Sequence, residues 1–93
     1  EPLVINISRN ENNCTIKTNN GNFEFVFDVN NVEEKMPEFA NRFSSLIEQQ
    51  KRILADPVEM DCADEVSWEV MVHIYNVLVS NGVENITFTL NDR

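Results

Sequence analysis

Apolar residues recur along this chain with two different spacings, and the change from one to the other limits the folds available to it. Where apolar residues alternate with polar ones, the period of two predicts a strand with one buried face. Five segments have this spacing, and they span residues 3–8, 14–18, 23–29, 58–62 and 86–90. In the third of them the alternating residues are mostly phenylalanine, which predicts an aromatic face turned towards a core.

Two other segments follow helical spacing instead. The first places its apolar residues at i, i+3, i+4 and i+7 up to about Arg52. Asn31 and Glu34 resemble a capping box. A helix starting there would place Pro37 beyond the first turn, in the interior where proline is disfavoured. The sequence therefore predicts a start near residues 35–36, with Pro37 in the first turn. The second helix is predicted over residues 67–81, with a glycine stop at Gly82.

The order of elements is βββαβαβ, which predicts an α+β two-layer sandwich. Asn20-Gly21 is a strong hairpin signal, so the first three strands should form an antiparallel meander. The final strand–helix–strand unit needs a right-handed crossover, which makes its two strands parallel. One mixed five-stranded sheet with both helices on one face satisfies these conditions. At 93 residues the chain forms a single domain, residues 1–93.

The net charge of −9 limits the partners that the chain can bind. An acidic surface repels phosphate backbones, so the sequence predicts no nucleic-acid partner. Anionic membranes are disfavoured for the same reason, whereas a basic partner or a neutral backbone surface is compatible. No run of about 18 apolar residues is present. The strand-like start directly after Glu1-Pro2 suggests a domain cut from a longer protein.

Few residues suggest a reaction centre. His73 shares a predicted helix face with Glu69, and a solvated face explains it without catalysis. Glu59, Asp61, Asp64 and Glu65 cluster near the fourth strand, where a solvated acidic rim is the simpler interpretation than a metal site. We therefore expect no enzyme activity, no metal and no cofactor.

Trp68 and the two cysteines have structural interpretations as well. A tryptophan at this point is expected to pack over the junction of helix and sheet, although exposed tryptophans often anchor partners. Cys14 and Cys62 fall on apolar positions of predicted strands, as two buried thiols or as a disulfide.

The stretch from Val58 to Phe88 resembles the C-terminal domain of the ExbD/TolR family. The similarity lies in the segments VEMDCAD, VSW and NGV and in the final ITF strand. In that register Ala63-Asp64 ends a strand, Val66 opens a helix and Gly82-Val83 stops it. Ser67 and Trp68 stand where the family usually has proline and tyrosine.

The resemblance implies a role without catalysis. Family members are single-pass inner-membrane proteins of double-membraned bacteria, with a periplasmic domain of this kind. With an ExbB- or TolQ-like membrane protein they form a proton-driven motor, and the proton-carrying aspartate lies in a transmembrane helix that this chain lacks. The periplasmic domain forms a homodimer and contacts a TonB-like transducer or peptidoglycan.

A sheet edge that accepts a partner strand suits such a role. The terminal strands are the expected edges, and the residues assigned to partner or dimer contact are Leu3, Val4, Ile5, Ile7, Ile86, Phe88 and Leu90. Two alternatives stay open. One is a free-standing adaptor domain that recognises a peptide by strand addition, and the other is an enzyme that uses the acidic cluster.

Overall fold

The computed structural model describes residues 2–19 and 23–91. Five strands and two helices follow the predicted order βββαβαβ. The strands are β1 (Leu3–Asn10), β2 (Asn13–Thr18), β3 (Glu24–Asp28), β4 (Val58–Ala63) and β5 (Ile86–Asn91), and the helices are α1 (Val32–Gln49) and α2 (Trp68–Ser80). The predicted Asn20-Gly21 turn lies outside the described residues.

All five strands join one mixed sheet in the order β3-β2-β1-β4-β5. The pairs β1–β2 and β2–β3 are antiparallel, as a meander requires. The pairs β1–β4 and β4–β5 are parallel, and the second pair confirms the parallel strands predicted for the last strand–helix–strand unit. The α+β class with one five-stranded sheet and two helices is therefore confirmed.

The sheet order corrects one prediction, because β1 is not an edge strand. It lies between β2 and β4, and its backbone pairs on both sides. Leu3, Ile5 and Ile7 are buried at 0, 0 and 1% exposure, and Val4 pairs with Glu59. These four residues are part of the centre of the sheet and cannot offer a free edge to a partner. The prediction was wrong because it was based on the N-terminal position of the strand, and order along the chain does not determine order in the sheet.

One face of the sheet carries the core and both helices. Alternate residues of β1, β2 and β4 are buried on this face, while their neighbours are exposed or half-buried. Helix α1 packs over the β3 end, where the rings of Phe39 and Phe25 lie 5.7 Å apart. Helix α2 lies beside β5, where Tyr75 and Phe88 stack at 5.6 Å. The opposite face has no helix among the described residues, and Val26 there is 51% exposed.

Helix α1 starts earlier than predicted and without a capping box. A single 3-10 turn over Val29–Asn31 leads into it, and Asp28 accepts a hydrogen bond from the Asn30 amide at 2.8 Å. The Asn31 side chain makes no capping hydrogen bond. Pro37 lies inside the helix, so its missing N–H removes one bond of the ladder. Burial of Val32, Met36 and Phe39 on one stripe offsets this cost.

Both helices end in the same hydrogen-bonded motif. After α2, Gly82 donates to Val79 and Val83 donates to Leu78, with Gly82 at φ 88°. This is a Schellman motif, and it confirms the predicted glycine stop. After α1 the corresponding left-handed residue is Lys51, at φ 55°. The start of α2 is capped by Ser67, whose Oγ accepts from the Val70 amide at 3.3 Å.

Candidate functional site

The two edges of the sheet differ in how they are protected. Edge strand β3 has five residues and begins and ends with an acidic side chain, Glu24 and Asp28. Short length and charge are devices that discourage pairing with another chain. Edge strand β5 has six residues, ITFTLN, with no charge and no proline. Of the two, β5 is the edge that a further strand can join. The structure therefore places predicted contact residues Ile86, Phe88 and Leu90 on an edge strand.

Backbone geometry indicates which β5 amides point outward. The Val58 amide donates to the Asn85 carbonyl at 2.8 Å, so Asn85 directs its polar groups towards β4. Successive residues of a strand direct their amides to opposite sides. Thr87 and Thr89 therefore bond towards β4, whereas Ile86 and Phe88 present N–H and C=O at the outer edge. Side chains of these last two point to the helix face, since they pair with Val58 and Met60.

Helix α2 carries a second apolar stripe that faces away from the core. Its core stripe is Val70, Met71, Ile74, Val77 and Leu78. The second stripe is Trp68, Val72, Tyr75 and Val79, at i, i+4, i+7 and i+11. Trp68 is 69% exposed and Val79 is 47% exposed. A helix that is apolar on two faces normally has a partner on each of them.

The first three residues of the second stripe line a shallow groove of about 410 Å³ together with β5. Its walls include Trp68, Tyr75, Ile86 and Phe88. Phe88 is 44% exposed although it stacks on Tyr75. We define the α2–β5 surface as Trp68, Val72, Tyr75, Val79, Ile86 and Phe88. Exposed aromatic side chains next to a free strand edge are typical of surfaces that bind another polypeptide.

Trp68 departs from its expected packing. The side chain was expected to close the junction of helix and sheet, but most of it is exposed. It occupies the first position of α2, directly after the cap, and its ring lies at the rim of the groove. The exposed stripe as a whole was missed from the sequence. Its spacing was visible there, because Trp68, Val72 and Tyr75 repeat with a helical period.

Charge is distributed unevenly around this surface. Residues 53–91 contain seven acidic side chains and no lysine or arginine. The range contains a single histidine, His73, which is half-buried on α2. The acidic residues are Asp56, Glu59, Asp61, Asp64, Glu65, Glu69 and Glu84. The half of the chain that forms the groove is therefore the strongly acidic half.

The acidic cluster predicted near β4 divides between two places. Glu59 and Asp61 lie on the open face of the sheet, half-buried, whereas Asp64 and Glu65 are exposed in the turn before α2. A Glu59 carboxylate oxygen accepts from the Thr89 hydroxyl at 3.3 Å. Asp61 Oδ1 is buried without a hydrogen-bond partner. Within residues 2–19 and 23–91, no three His, Cys, Asp or Glu side chains gather as a metal-binding set.

Both cysteines are buried free thiols on the core face. They belong to β2 and β4, which are separated by β1. Strands two apart place their Cα atoms roughly 10 Å from each other, beyond the reach of about 7 Å that a disulfide allows. Burial raises the pKa of each thiol from 9.0 to about 11, and for Cys62 the charge of Asp61 adds to the rise. Thiols of this kind are unreactive at neutral pH.

A second groove lies at the opposite end of the molecule, between α1 and Phe23, with a volume of about 630 Å³. Polar side chains such as Asn41, Ser45 and Gln49 form much of its wall. The Arg42 guanidinium covers the Phe23 ring at 4.9 Å, so the aromatic face there already has a partner. The α2–β5 surface is thus the stronger candidate for a contact with another protein.

Comparisons with known proteins leave the resemblance untested. No protein-family model matches the chain, and a search of curated proteins gives no match either. Of the helices that the structure describes, none has the length and apolarity needed to cross a membrane.

Proposed function

We propose that this domain is a non-enzymatic protein-interaction domain, the periplasmic arm of an ExbD/TolR-like proton-driven motor, and that it engages its partner by strand addition along β5. The observation that carries the proposal is the uncharged edge of β5 beside the exposed stripe of α2. An added strand gains backbone hydrogen bonds from the edge, and its alternate side chains reach the groove. Neither gain requires a reaction centre.

The positions of the quoted motif support the family assignment within this proposal. Ala63 is the last residue of β4, and Ser67 caps α2 after a short turn. Gly82 and Val83 complete the stop of α2, and Ile86 begins the last strand. These positions agree with the family register, whereas Val66, which the resemblance places at the start of the helix, lies in the turn before the Ser67 cap.

The proposal assigns the remaining partners to parts outside this chain. An ExbB- or TolQ-like protein would be contacted through a transmembrane helix, and the domain would function in the periplasm as a homodimer. A TonB-like transducer or peptidoglycan would receive the force. A small adaptor domain that binds a peptide at β5 is the alternative, and the same edge supports it.

The experiment that separates these two is to sequence the parent gene upstream of the codon for Glu1. We expect roughly 20 apolar residues that include one aspartate, followed by a short linker. The encoded protein should then co-purify with a multi-span membrane partner. A cleaved signal peptide or a soluble domain at that position would overturn the motor assignment and favour the adaptor.

A further inference from the structure

We propose that the α2–β5 surface selects a cationic extended peptide, with lysine or arginine alternating with apolar residues. The inference rests on the proposed strand addition at β5 and specifies the chemistry of the added strand. Two observations carry it. They are the charge imbalance of residues 53–91 and the position of the Glu59 carboxylate over β5.

Alternation along a strand fixes which residues of the peptide face each side. Peptide residues opposite Ile86 and Phe88 point to the helix face, where the groove walls are Trp68, Val72 and Tyr75. These positions require apolar side chains. Peptide residues opposite Thr87 and Thr89 point to the open face of the sheet. The required pattern therefore has a period of two.

The open face next to β5 favours positive charge. The Glu59 carboxylate leans onto β5, since one of its oxygens accepts from the Thr89 hydroxyl at 3.3 Å. Asp61 pairs with Thr89 in the register and its Oδ1 is buried, so Asp61 adds negative charge beside Glu59 but is not a direct contact for a peptide. A lysine or arginine that extends across β5 from an added strand can approach the Glu59 carboxylate. Lys17 on β2 lies on this same face, two strands from Asp61 in the row Lys17–Asn6–Asp61. Residues 53–91 contain no lysine or arginine, so this half of the chain supplies no cation to Glu59.

The same charges oppose a second copy of the chain on this surface. Each copy carries a net charge of −9. A symmetric pairing along β5 would place the acidic halves of two chains side by side, with the β4 carboxylates of the two copies three strand spacings apart. The pairing is therefore opposed by the long-range repulsion between two chains of this charge, which salt screens. A cationic peptide satisfies the same backbone edge without this repulsion.

The test uses the 93-residue chain and three blocked synthetic peptides of about eight residues. One alternates leucine with lysine, one leucine with threonine and one leucine with glutamate. Trp68 is the single tryptophan, so its fluorescence reports contact with the groove directly. We expect the lysine peptide to bind at least about tenfold more tightly than the threonine peptide, because its charges complement the surface. The glutamate peptide should not bind.

Matched variants identify the groups responsible. Glu59→Gln should lower the affinity for the lysine peptide several-fold. Glu33→Gln removes one negative charge from an exposed position of α1 and should have little effect on this affinity. Phe88→Pro and Phe88→Ala both remove the ring, and the proline also removes an outer-edge amide. Phe88→Pro should therefore bind the lysine and threonine peptides more weakly than Phe88→Ala does.

Each other outcome overturns the inference in a distinguishable way. Equal binding of the lysine and threonine peptides, with both bound more weakly by Phe88→Pro than by Phe88→Ala, would keep strand addition and reject cationic selection. Equal weakening by Glu59→Gln and Glu33→Gln would mean nonspecific attraction to an acidic protein. A change in Trp68 fluorescence that depends on protein concentration alone, together with dimers in sedimentation equilibrium, would assign the surface to a second copy of the chain. No binding of any peptide would reject the inference, and the upstream gene sequence would still test the motor assignment separately.

Discussion

Gly82 shows how a single residue controls the connection from α2 to β5. Its φ of 88° is unfavourable for residues with a Cβ, and an added Cβ would lie 3.0 Å from a Leu54 methyl carbon. We expect Gly82→Ala to lower the free energy of unfolding by about 1–2 kcal/mol. Urea denaturation measures this change.

The double variant Gly82→Ala with Leu54→Ala separates the two causes. It removes the close contact with the Leu54 side chain but keeps the unfavourable φ. A loss that persists in the double variant, compared with Leu54→Ala alone, belongs to the backbone. An alanine that costs nothing at position 82 would contradict the left-handed conformation.

The buried thiols give the fold a dependence on alkaline pH. Burial raises the pKa of Cys14 and Cys62 from 9.0 to about 11. Below pH 9 both states keep the thiol proton, so neither thiol changes the stability. Between pH 9 and about 11 the unfolded chain loses these protons first. The free energy of unfolding therefore falls, by up to roughly 1.4 kcal/mol per pH unit for each thiol.

Chemical denaturation at several pH values measures this fall. The double variant Cys14→Ala with Cys62→Ala is the control. It starts from a lower stability, because two buried side chains are truncated, but its decline above pH 9 should be smaller. Parallel curves for the two proteins would show that the thiols are not the cause.

Among the secondary-structure elements, the two helices differ in how they begin, and this difference is measurable. Ser67 caps α2 through its hydroxyl, whereas Asn31 precedes α1 without a side-chain hydrogen bond. We expect Ser67→Ala to cost about 1 kcal/mol of stability and Asn31→Ala to cost much less. Thermal unfolding of the two variants side by side provides the comparison. Equal losses would mean that the Asn31 side chain caps α1 as effectively as Ser67 caps α2.

In edge strand β5, the stability lost on substitution by proline should depend on which way each amide points. Thr87 donates towards β4, so Thr87→Pro removes a hydrogen bond of the sheet, and Phe88→Pro removes only an outer-edge donor. Relative to alanine at the same position, we expect proline to cost about 1–3 kcal/mol more at Thr87 than at Phe88. Urea midpoints of the four variants measure this difference. The reverse order would mean that the two amides point to the opposite sides.

For the molecule as a whole, the acidic charge opposes folding. A net charge of −9 produces self-repulsion in the compact state, and salt screens it. We expect the urea midpoint to rise between about 0.05 and 0.5 M sodium chloride. Glu59→Gln should reduce this dependence more than Glu33→Gln, since Glu59 lies in the acidic half of the chain. A midpoint that falls with salt would mean that attractive ion pairs dominate instead.

The sequence predicts the elements of this fold better than their arrangement. Period-two and helical spacings are local, so all five strands and both helices were found, and Gly82 was identified as the stop of α2. The position of β1 depends on parallel pairing with β4, in which Leu3 meets Val58. No local signal encodes such a distant pair, so β1 was expected at an edge.

The candidate site was also predictable only in part, because local spacing predicts its elements but not their packing. Phe88 was assigned to an edge through its place in the last strand, and that place is an edge. The sequence predicts the helix that carries Trp68, Val72, Tyr75 and Val79, but it does not indicate that this stripe is exposed. Recognising it requires knowing which side of α2 the sheet covers, and this follows from the tertiary packing alone.

The central position of β1 has a consequence for how the protein is made. Synthesis on a ribosome and export through a membrane both proceed from the N-terminus, so β1, β2 and β3 emerge before β4, and one side of β1 then has no partner. Leu3, Ile5 and Ile7 belong to that exposed strand. Until β4 emerges, the nascent chain carries an apolar strand with unpaired amides, the state in which chains aggregate or recruit chaperones. When the 93-residue chain is expressed in the cytosol, slowing translation ahead of the codon for Val58 should therefore lower the yield of soluble protein.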